Sequence, residues 1–110
     1  MDAAVRRLVE LGQLDDERFA RLFAGDKREL QGWGPERIRQ ALQERGLAGP
    51  IVESVVGHEG HSDQVERARA LLERRGAQLG DDAGRSRALG FLTRRGYDYE
   101  VAYEAIRRAA

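Results

Sequence analysis

The fold is decided by the stretch GPERIRQALQERG, residues 34–46. Pro35 suits the first turn of a helix, because its ring presets φ and its missing N–H would have no partner there. Ile38 and Leu42 stand one helical turn apart and begin an apolar stripe. Gly46 is the type of residue that commonly follows the end of a helix. The stretch therefore predicts a short amphipathic helix with one side buried.

The same pattern returns fifty residues further along the chain. Leu42, Arg45 and Gly46 align with Leu92, Arg95 and Gly96. The apolar residues that follow also align: Ile51, Val52, Val55 and Val56 with Val101, Ala102, Ala105 and Ile106. Each half then consists of a helix, a second helix ending at a glycine, and a short third helix. Repeats of this size predict stacked helical units, each too small to bury its apolar face alone.

Helical periodicity extends to both ends of the chain, and no stretch of four or more residues alternates like a strand. We predict seven helices, with Asp15 capping the second and Leu14 and Phe19 forming a hydrophobic staple across its start. The sixth has an alternative start, after Gly84, because glycine weakens a helix. The expected bounds are Asp2 and Gly12, Asp15 and about Glu29, Gly34 and Gly46, Gly49 and Gly57, Asp63 and Gly76, Asp81 and Gly96, and Asp98 to the C-terminal residues.

We therefore expect an all-α protein in which tandem three-helix repeats stack into an elongated, curved array. Residues 1–12 would be the closing helix of an incomplete first repeat, residues 13–60 one three-helix repeat and residues 61–110 another. The apolar stripe of the first helix would pack on the next unit and leave part of its surface uncovered.

Composition excludes several classes of protein. The 110 residues include 19 basic and 19 acidic side chains, so neither a strongly basic nucleic-acid clamp nor an acidic tail protein is indicated. There is no cysteine, which excludes disulfides and thiol chemistry. No apolar segment is long enough to span a membrane and no signal peptide is visible, so we expect a cytoplasmic protein.

The chemically suggestive motifs have simpler explanations. Asp15 and Asp16 could serve a metal or acid–base catalysis, but adjacent acids at a helix start are usually caps. The linker containing His58 and His61 could bind a metal, but it lacks the spacing of a zinc motif and favours a flexible polar segment. No phosphate-binding loop or nucleophile elbow is present. We expect neither an enzyme nor a cofactor nor a small-molecule substrate.

Arginine and tryptophan supply the best candidates for partner binding. All basic residues except Lys27 are arginines. Residues 83–97 contain four arginines and no acid, which favours an anionic partner better than it favours a face of local ion pairs. Trp33 lies between two glycines in a predicted turn. It could be an exposed anchor for a partner or could fold over the core, and we favour the core.

Three segments together resemble the RecX family. Leu11 to Arg21, LGQLDDERFAR, resembles the family's LxxLDDxRFAR signature. Gly32 to Leu42, GWGPERIRQAL, resembles its next block, in which a glycine, an aromatic residue, a glycine and a proline open a helix. Leu92 to Tyr97, LTRRGY, resembles the C-terminal block. The resemblance covers about residues 3 to 108, in the family's order and spacing.

This resemblance implies a regulator of the RecA recombinase that binds along the groove of the RecA–DNA filament and usually inhibits ATP hydrolysis and strand exchange. Single-stranded DNA would be contacted weakly or indirectly, and no membrane is involved. The alternative is a small helical DNA-binding module that acts without RecA. From charge and helix position, the expected partner-binding or DNA-binding residues are Lys27, Arg28, Trp33, Arg37, Arg39, Arg85, Arg87, Arg94 and Arg95.

Overall fold

The structure, a computed structural model, describes residues 3–110, and within that range it is helical with no strand. This confirms the predicted all-α class. Asp2, the expected cap of the first helix, lies outside the described residues. The described part of the chain contains six helices: α1 Ala3–Gln31, α2 Pro35–Glu44, α3 Gly49–Val56, α4 His61–Arg75, α5 Asp82–Arg94 and α6 Tyr99–Ala109.

The first two predicted helices are a single helix of 29 residues, so the predicted helix end at Gly12 is wrong. A glycine within a helix costs about 1 kcal/mol but removes no hydrogen bond. Gly12 does not have the positive φ that ends a helix, whereas Gly32 does, with φ 66°. Asp15 consequently lies inside α1 and caps nothing. The assignment of residues 1–12, 13–60 and 61–110 to separate repeats stays a prediction.

The buried apolar side chains form two clusters, one for each three-helix unit. The first unit joins the C-terminal half of α1 to α2 and α3, around Ile38, Leu42 and Val52. The second joins α4, α5 and α6, around Leu72 and Leu92 among others. The valines and isoleucines predicted to face inward on α3 and α6 are buried as expected.

Helix α1 reaches the first core through small residues. Ala20 and Ala24 are fully buried, while Leu22 and Leu30 are 63% and 79% exposed. Phe19 is also exposed, so among the larger apolar side chains of this part of α1 only Phe23 packs, partly buried, against the core. Alanines let α1 lie close to α3, which leaves the larger side chains of α1 at the surface.

The fifty-residue repeat is reproduced in backbone geometry. Arg45 ends α2 with φ −81° and ψ −2°, and Arg95 ends α5 with φ −79° and ψ −6°. Each is followed by a glycine with positive φ, 80° at Gly46 and 100° at Gly96. The hydrogen bonds from Leu47 N to Leu42 O and from Tyr97 N to Leu92 O close the two turns alike.

Aspartates cap two helices at the starts expected from sequence. The side chain of Asp81 accepts a hydrogen bond from Gly84 N at 2.7 Å, and that of Asp98 accepts one from Val101 N at 2.8 Å. Helix α5 thus begins before Gly84, not after it. Asp63 does not cap α4, which begins two residues earlier with Gly60 at the N-cap position. Its carboxylate lies in the first turn, where the helix dipole favours it.

The molecule is a rod of 64 × 19 × 18 Å with a radius of gyration of 17.3 Å. A compact domain of this length would have a radius of gyration of about 13 Å. The predicted elongated shape is confirmed. The first turns of α1 extend beyond the core, with Leu8 69% exposed and Leu14 59% exposed. Within residues 3–110 no helix has the length and apolar character needed to cross a membrane.

Candidate partner-binding surface

The two units meet at two glycine turns, which form a seam. The turn between α1 and α2 lies against the turn between α5 and α6. Gly34 N donates to Arg95 O at 2.7 Å, and Glu36 N donates to Gly96 O at 2.9 Å. A Cβ on Gly34 would lie 2.5 Å from Gly96 O, and one on Gly96 would lie 2.5 Å from the Cβ of Arg37. Only glycine permits this backbone contact.

Side chains hold the seam on both sides of the turns. Arg95 donates to Gln31 O at 2.5 Å, and the hydroxyl of Tyr97 donates to Gly32 O at 3.2 Å. Arg67 donates to Trp33 O at 3.1 Å and pairs with the carboxylate of Glu59. These contacts join residues from both units, so the units are fixed relative to each other.

The electrostatics of the seam follow from burial. Burial is the largest single effect on Arg67 and opposes its charge, but the hydrogen bond to Glu59 and the charge interactions with Tyr97 and Glu59 together outweigh it, so the pKa of Arg67 is raised. Burial raises the pKa of Tyr97, because the phenolate would be poorly solvated there. Both side chains therefore keep their ordinary protonation states at neutral pH, with Arg67 charged and Tyr97 neutral.

Beside the seam, three aromatic rings and three cations form one continuous patch. We call it the cation–aromatic surface. The ring centroids of Phe19 and Phe23 are 5.7 Å apart, and Phe23 meets Trp33 edge-on at 6.2 Å. Its members are Phe19, Phe23, Lys27, Trp33, Arg37 and Arg45.

Each cation of this surface lies over an aromatic ring. The guanidinium of Arg37 is 4.3 Å from the centroid of Trp33, and the ammonium of Lys27 is 4.8 Å from the same centroid. Arg45 lies 5.0 Å from Phe19 and 5.1 Å from Phe23. Within residues 3–110 none of these three cations pairs with a carboxylate. The rings hold the three cationic side chains in place. The positive charges of these side chains remain available to a partner.

Trp33 is neither fully exposed nor fully inside the core. It is half-buried and packs against the first core cluster, while its ring carries two cations. The core interpretation is therefore met in part, and a role for Trp33 as an anchor for a partner stays a prediction. A fixed aromatic ring with charge on its face is typical of binding surfaces.

Two of the expected binding arginines are occupied by local ion pairs. Arg39 pairs with Glu36 at 2.5 Å and with Glu53 at 2.8 Å, and hydrogen bonding to Glu53 above all raises its pKa. Arg85 pairs with Asp82 at 2.5 Å and donates to a backbone carbonyl. Their charges are largely neutralised on the protein itself.

The remaining expected residues are dispersed. Arg94 is joined to the cation–aromatic surface through its backbone, because Arg37 donates to Arg94 O at 3.2 Å. Arg95 is held at the seam, with its guanidinium 4.9 Å from the ring of Phe91. Arg87 is exposed beside a groove that Arg75 also lines. Arg28 lies in a separate groove between α1 and α3.

Phe19, Phe23 and Arg45 belong to the surface but were not among the residues predicted from sequence. The sequence contains a signal for these residues. Phe19 and Phe23 stand four residues apart on α1, so their side chains share a face. Arg45 is the fifty-residue equivalent of Arg95, which was predicted. Both arginines lie near phenylalanine rings, but Arg45 contacts Phe19 of α1 whereas Arg95 contacts Phe91 of α5, the helix that it ends itself.

The acidic and histidine motifs are not assembled into a centre. His58 and His61 are exposed, and Glu59 between them pairs with Arg67. Asp15 and Asp16 are exposed on α1. Within residues 3–110 no group of three or more histidine, aspartate or glutamate side chains is placed to hold a metal ion.

Comparison with known proteins identifies relatives. Residues 15–56 match the family model described as RecX, second three-helix domain. This segment begins within α1 and ends with α3, so it covers the first three-helix unit of the structure. No solved structure matches the chain.

Curated relatives cover almost the whole chain. A protein named regulatory protein RecX from Trichlorobacter lovleyi is 36% identical over 99 residues, which are 86% of this chain and 64% of that protein. One from Halorhodospira halophila is 43% identical, over 82% of this chain and 56% of that protein. One from Thermus thermophilus is 35% identical, over 98% and 69%. The chain spans little more than half to about two thirds of these relatives.

Proposed function

Because the chain belongs to the RecX family of regulatory proteins, we propose that it binds the RecA recombinase filament on DNA and inhibits its ATP hydrolysis and strand exchange. The relatives are named as regulators, and the proposed role is binding rather than catalysis. Single-stranded DNA in the filament would be contacted weakly or indirectly, and the proposed place of action is the cytoplasm.

The observation that carries this proposal is the cation–aromatic surface. Lys27, Arg37 and Arg45 lie on aromatic rings without a carboxylate partner among residues 3–110. A filament of protein on DNA offers phosphates and acidic side chains, and cations held in place lose little entropy when they bind them. The seam keeps the two units in one orientation, so a long rod could lie along a groove as a rigid body.

The nine residues expected from sequence contribute unequally in this proposal. Lys27, Trp33 and Arg37 lie in the cation–aromatic surface, and Arg94 and Arg95 lie next to it. We expect smaller contributions from Arg39 and Arg85, because acidic neighbours already neutralise them. Arg28 and Arg87 would contact other parts of the partner.

The test is DNA-dependent ATP hydrolysis by RecA from the same host, titrated with this chain and with a triple variant, Lys27→Gln, Arg37→Gln and Arg45→Gln. We expect the concentration for half inhibition to rise about tenfold or more, since three exposed charge contacts of roughly 0.5 kcal/mol each amount to about 1.5 kcal/mol, and about 1.4 kcal/mol is a factor of ten.

A matched control removes the same net charge elsewhere. Arg69, Arg107 and Arg108 pair with glutamates on α4 and α6. Changing these three to Gln should leave inhibition within about twofold, because surface ion pairs contribute little. Equal inhibition by the two triple variants, both folded by circular dichroism, would contradict the proposed surface.

The second candidate function is direct DNA binding without RecA. One observation favours it, since cations beside aromatic rings are also typical of surfaces that bind single strands. Fluorescence anisotropy with a labelled single strand distinguishes the two. Binding to bare DNA whose affinity falls steeply with salt, together with unchanged RecA activity, would favour the DNA-binding module.

A further inference from the structure

A separate groove of 490 Å³ runs between α1 and α3, away from the aromatic rings. Glu17, Arg21 and Arg28 lie on one face of α1, because they are four and seven residues apart along the helix. Ser54, near the end of α3, and His58, in the turn that follows α3, line the opposite wall. The groove is thus bounded by two arginines, one histidine and a single carboxylate.

The charge of Arg28 is poorly compensated. It is half-buried, and its Nη2 donates to the carbonyl of Val55 at 2.6 Å. Its Nε is buried without any acceptor, the only such side-chain atom within residues 3–110. Glu59 is bonded to Arg67 and leaves Arg28 without an ion pair. A partly buried cation that has only a carbonyl partner is costly, and an anion in the adjoining groove would lower that cost.

The other groups of the groove define the kind of anion. Arg21 is exposed and, within residues 3–110, makes no ion pair, so all its donors are free. His58 adds a ring N–H. Ser54 already donates to Ile51 O at 2.7 Å and contributes only shape and polarity. Arginine presents several N–H donors in a planar fork, which suits the oxygens of a phosphate group.

We propose that this groove is a phosphate-binding site, formed by Arg21, Arg28 and His58 and opposed by Glu17. Its ligand is a phosphate group, either the phosphodiester of a nucleic-acid strand or a free phosphate. The inference goes beyond the proposed function, because it requires no RecA and concerns a different face of α1.

The test is a ¹H–¹⁵N NMR titration of the full chain with inorganic phosphate at constant ionic strength, with acetate as the comparison anion. We expect saturable shifts confined to the groove, with an affinity in about the millimolar range, as for other small weak ligands. A parallel titration with the dinucleotide of thymidine, whose one phosphate is a diester, distinguishes the two sources. Tighter binding of the diester would identify a nucleic-acid backbone as the ligand, and tighter binding of inorganic phosphate a free anion.

Substitutions in the groove should change the affinity for phosphate in opposite directions. Arg21→Gln should weaken phosphate binding about fivefold or more, because a charge-assisted contact is lost. Glu17→Gln should strengthen it about two- to fivefold, because a repelling charge is removed. Arg18→Gln changes an exposed arginine outside the groove and should leave the affinity unchanged. All three positions lie at least partly at the surface of α1, so folding should be preserved.

Three results would overturn the proposal. They are shifts that do not saturate, equal effects of Arg21→Gln and Arg18→Gln, and acetate binding as tight as phosphate binding. None of them decides the proposed function, because RecA inhibition is measured separately with the variants of the cation–aromatic surface.

Discussion

Gly96 brings the second unit within backbone contact of the first. Its φ of 100° is favourable only for glycine, and the position of its missing Cβ is 2.5 Å from both the Cβ and the N of Arg37. Gly46 is the equivalent residue of the first unit, with φ 80° and no atom within 4 Å of its missing Cβ. One chain therefore contains the same turn twice, once packed and once free.

This pair gives a prediction at the scale of one residue. Gly46→Ala should lower the free energy of unfolding by about 1–2 kcal/mol, the cost of a left-handed conformation for alanine. Gly96→Ala should lower it by about 1–3 kcal/mol more, because the methyl group also overlaps Arg37. Urea denaturation measures both. If both variants lose the same free energy of unfolding, the seam accommodates an added methyl group at Gly96 without an energetic cost.

At the scale of the element, α1 differs most from what sequence predicts. A helix end at Gly12 was expected from glycine's frequency at helix ends, yet the helix continues for nineteen more residues. Among residues 3–110 the four glycines with positive φ are Gly32, Gly46, Gly76 and Gly96. Each of these glycines lies in a connection between two helices, whereas Gly12 lies inside α1.

Gly12→Ala tests the continuity of α1. Nothing lies within 4 Å of the missing Cβ, and alanine is favoured over glycine inside a helix by about 1 kcal/mol. We expect amide exchange in the first four turns of α1 to slow by about fivefold, measured by hydrogen–deuterium exchange with NMR. Faster exchange there would show instead that Gly12 ends a helix with a positive φ that alanine disfavours.

At the scale of the whole molecule, the seam makes two small units into one rod. Tyr97 reports on it, because its ring is buried in the second core and its hydroxyl donates to Gly32 O of the first unit. Burial raises the pKa of Tyr97. The phenol is therefore harder to ionise in the folded chain than in the unfolded chain.

This difference predicts a loss of stability in alkali. Below about pH 10 Tyr97 is neutral in both states and its contribution is fully present. As pH rises from there towards the folded-state pKa, only the unfolded chain loses the proton, so stability falls by up to about 1.4 kcal/mol per pH unit. Tyr97→Phe should flatten that slope in urea denaturation, whereas Tyr103→Phe, at an exposed position, should not.

If the slope is the same in the unsubstituted chain and in Tyr97→Phe, then Tyr97 does not resist ionisation, and the seam admits more water than its packing indicates. If both tyrosine variants flatten the slope, the effect arises from the surface rather than from the seam.

The sequence by itself determined the local structure. Apolar spacing, proline at helix starts, aspartate caps at Asp81 and Asp98, and glycine at Gly46, Gly76 and Gly96 are properties of a few neighbouring residues. They fixed the all-α class, most helix bounds and the fifty-residue repeat. The family resemblance likewise depended on short blocks such as residues 32–42, and the relatives confirm it.

Only the tertiary structure decided which arginines pair with a carboxylate and which do not. Arg37 and Arg39 are two residues apart, so they leave α2 on different sides. Arg39 pairs with Glu53 of α3, fourteen residues further along the chain, whereas Arg37 contacts the ring of Trp33 and the carbonyl of Arg94. The partners of a surface charge are set by which helices pack together, and that packing arises from contacts between distant residues that no local pattern specifies.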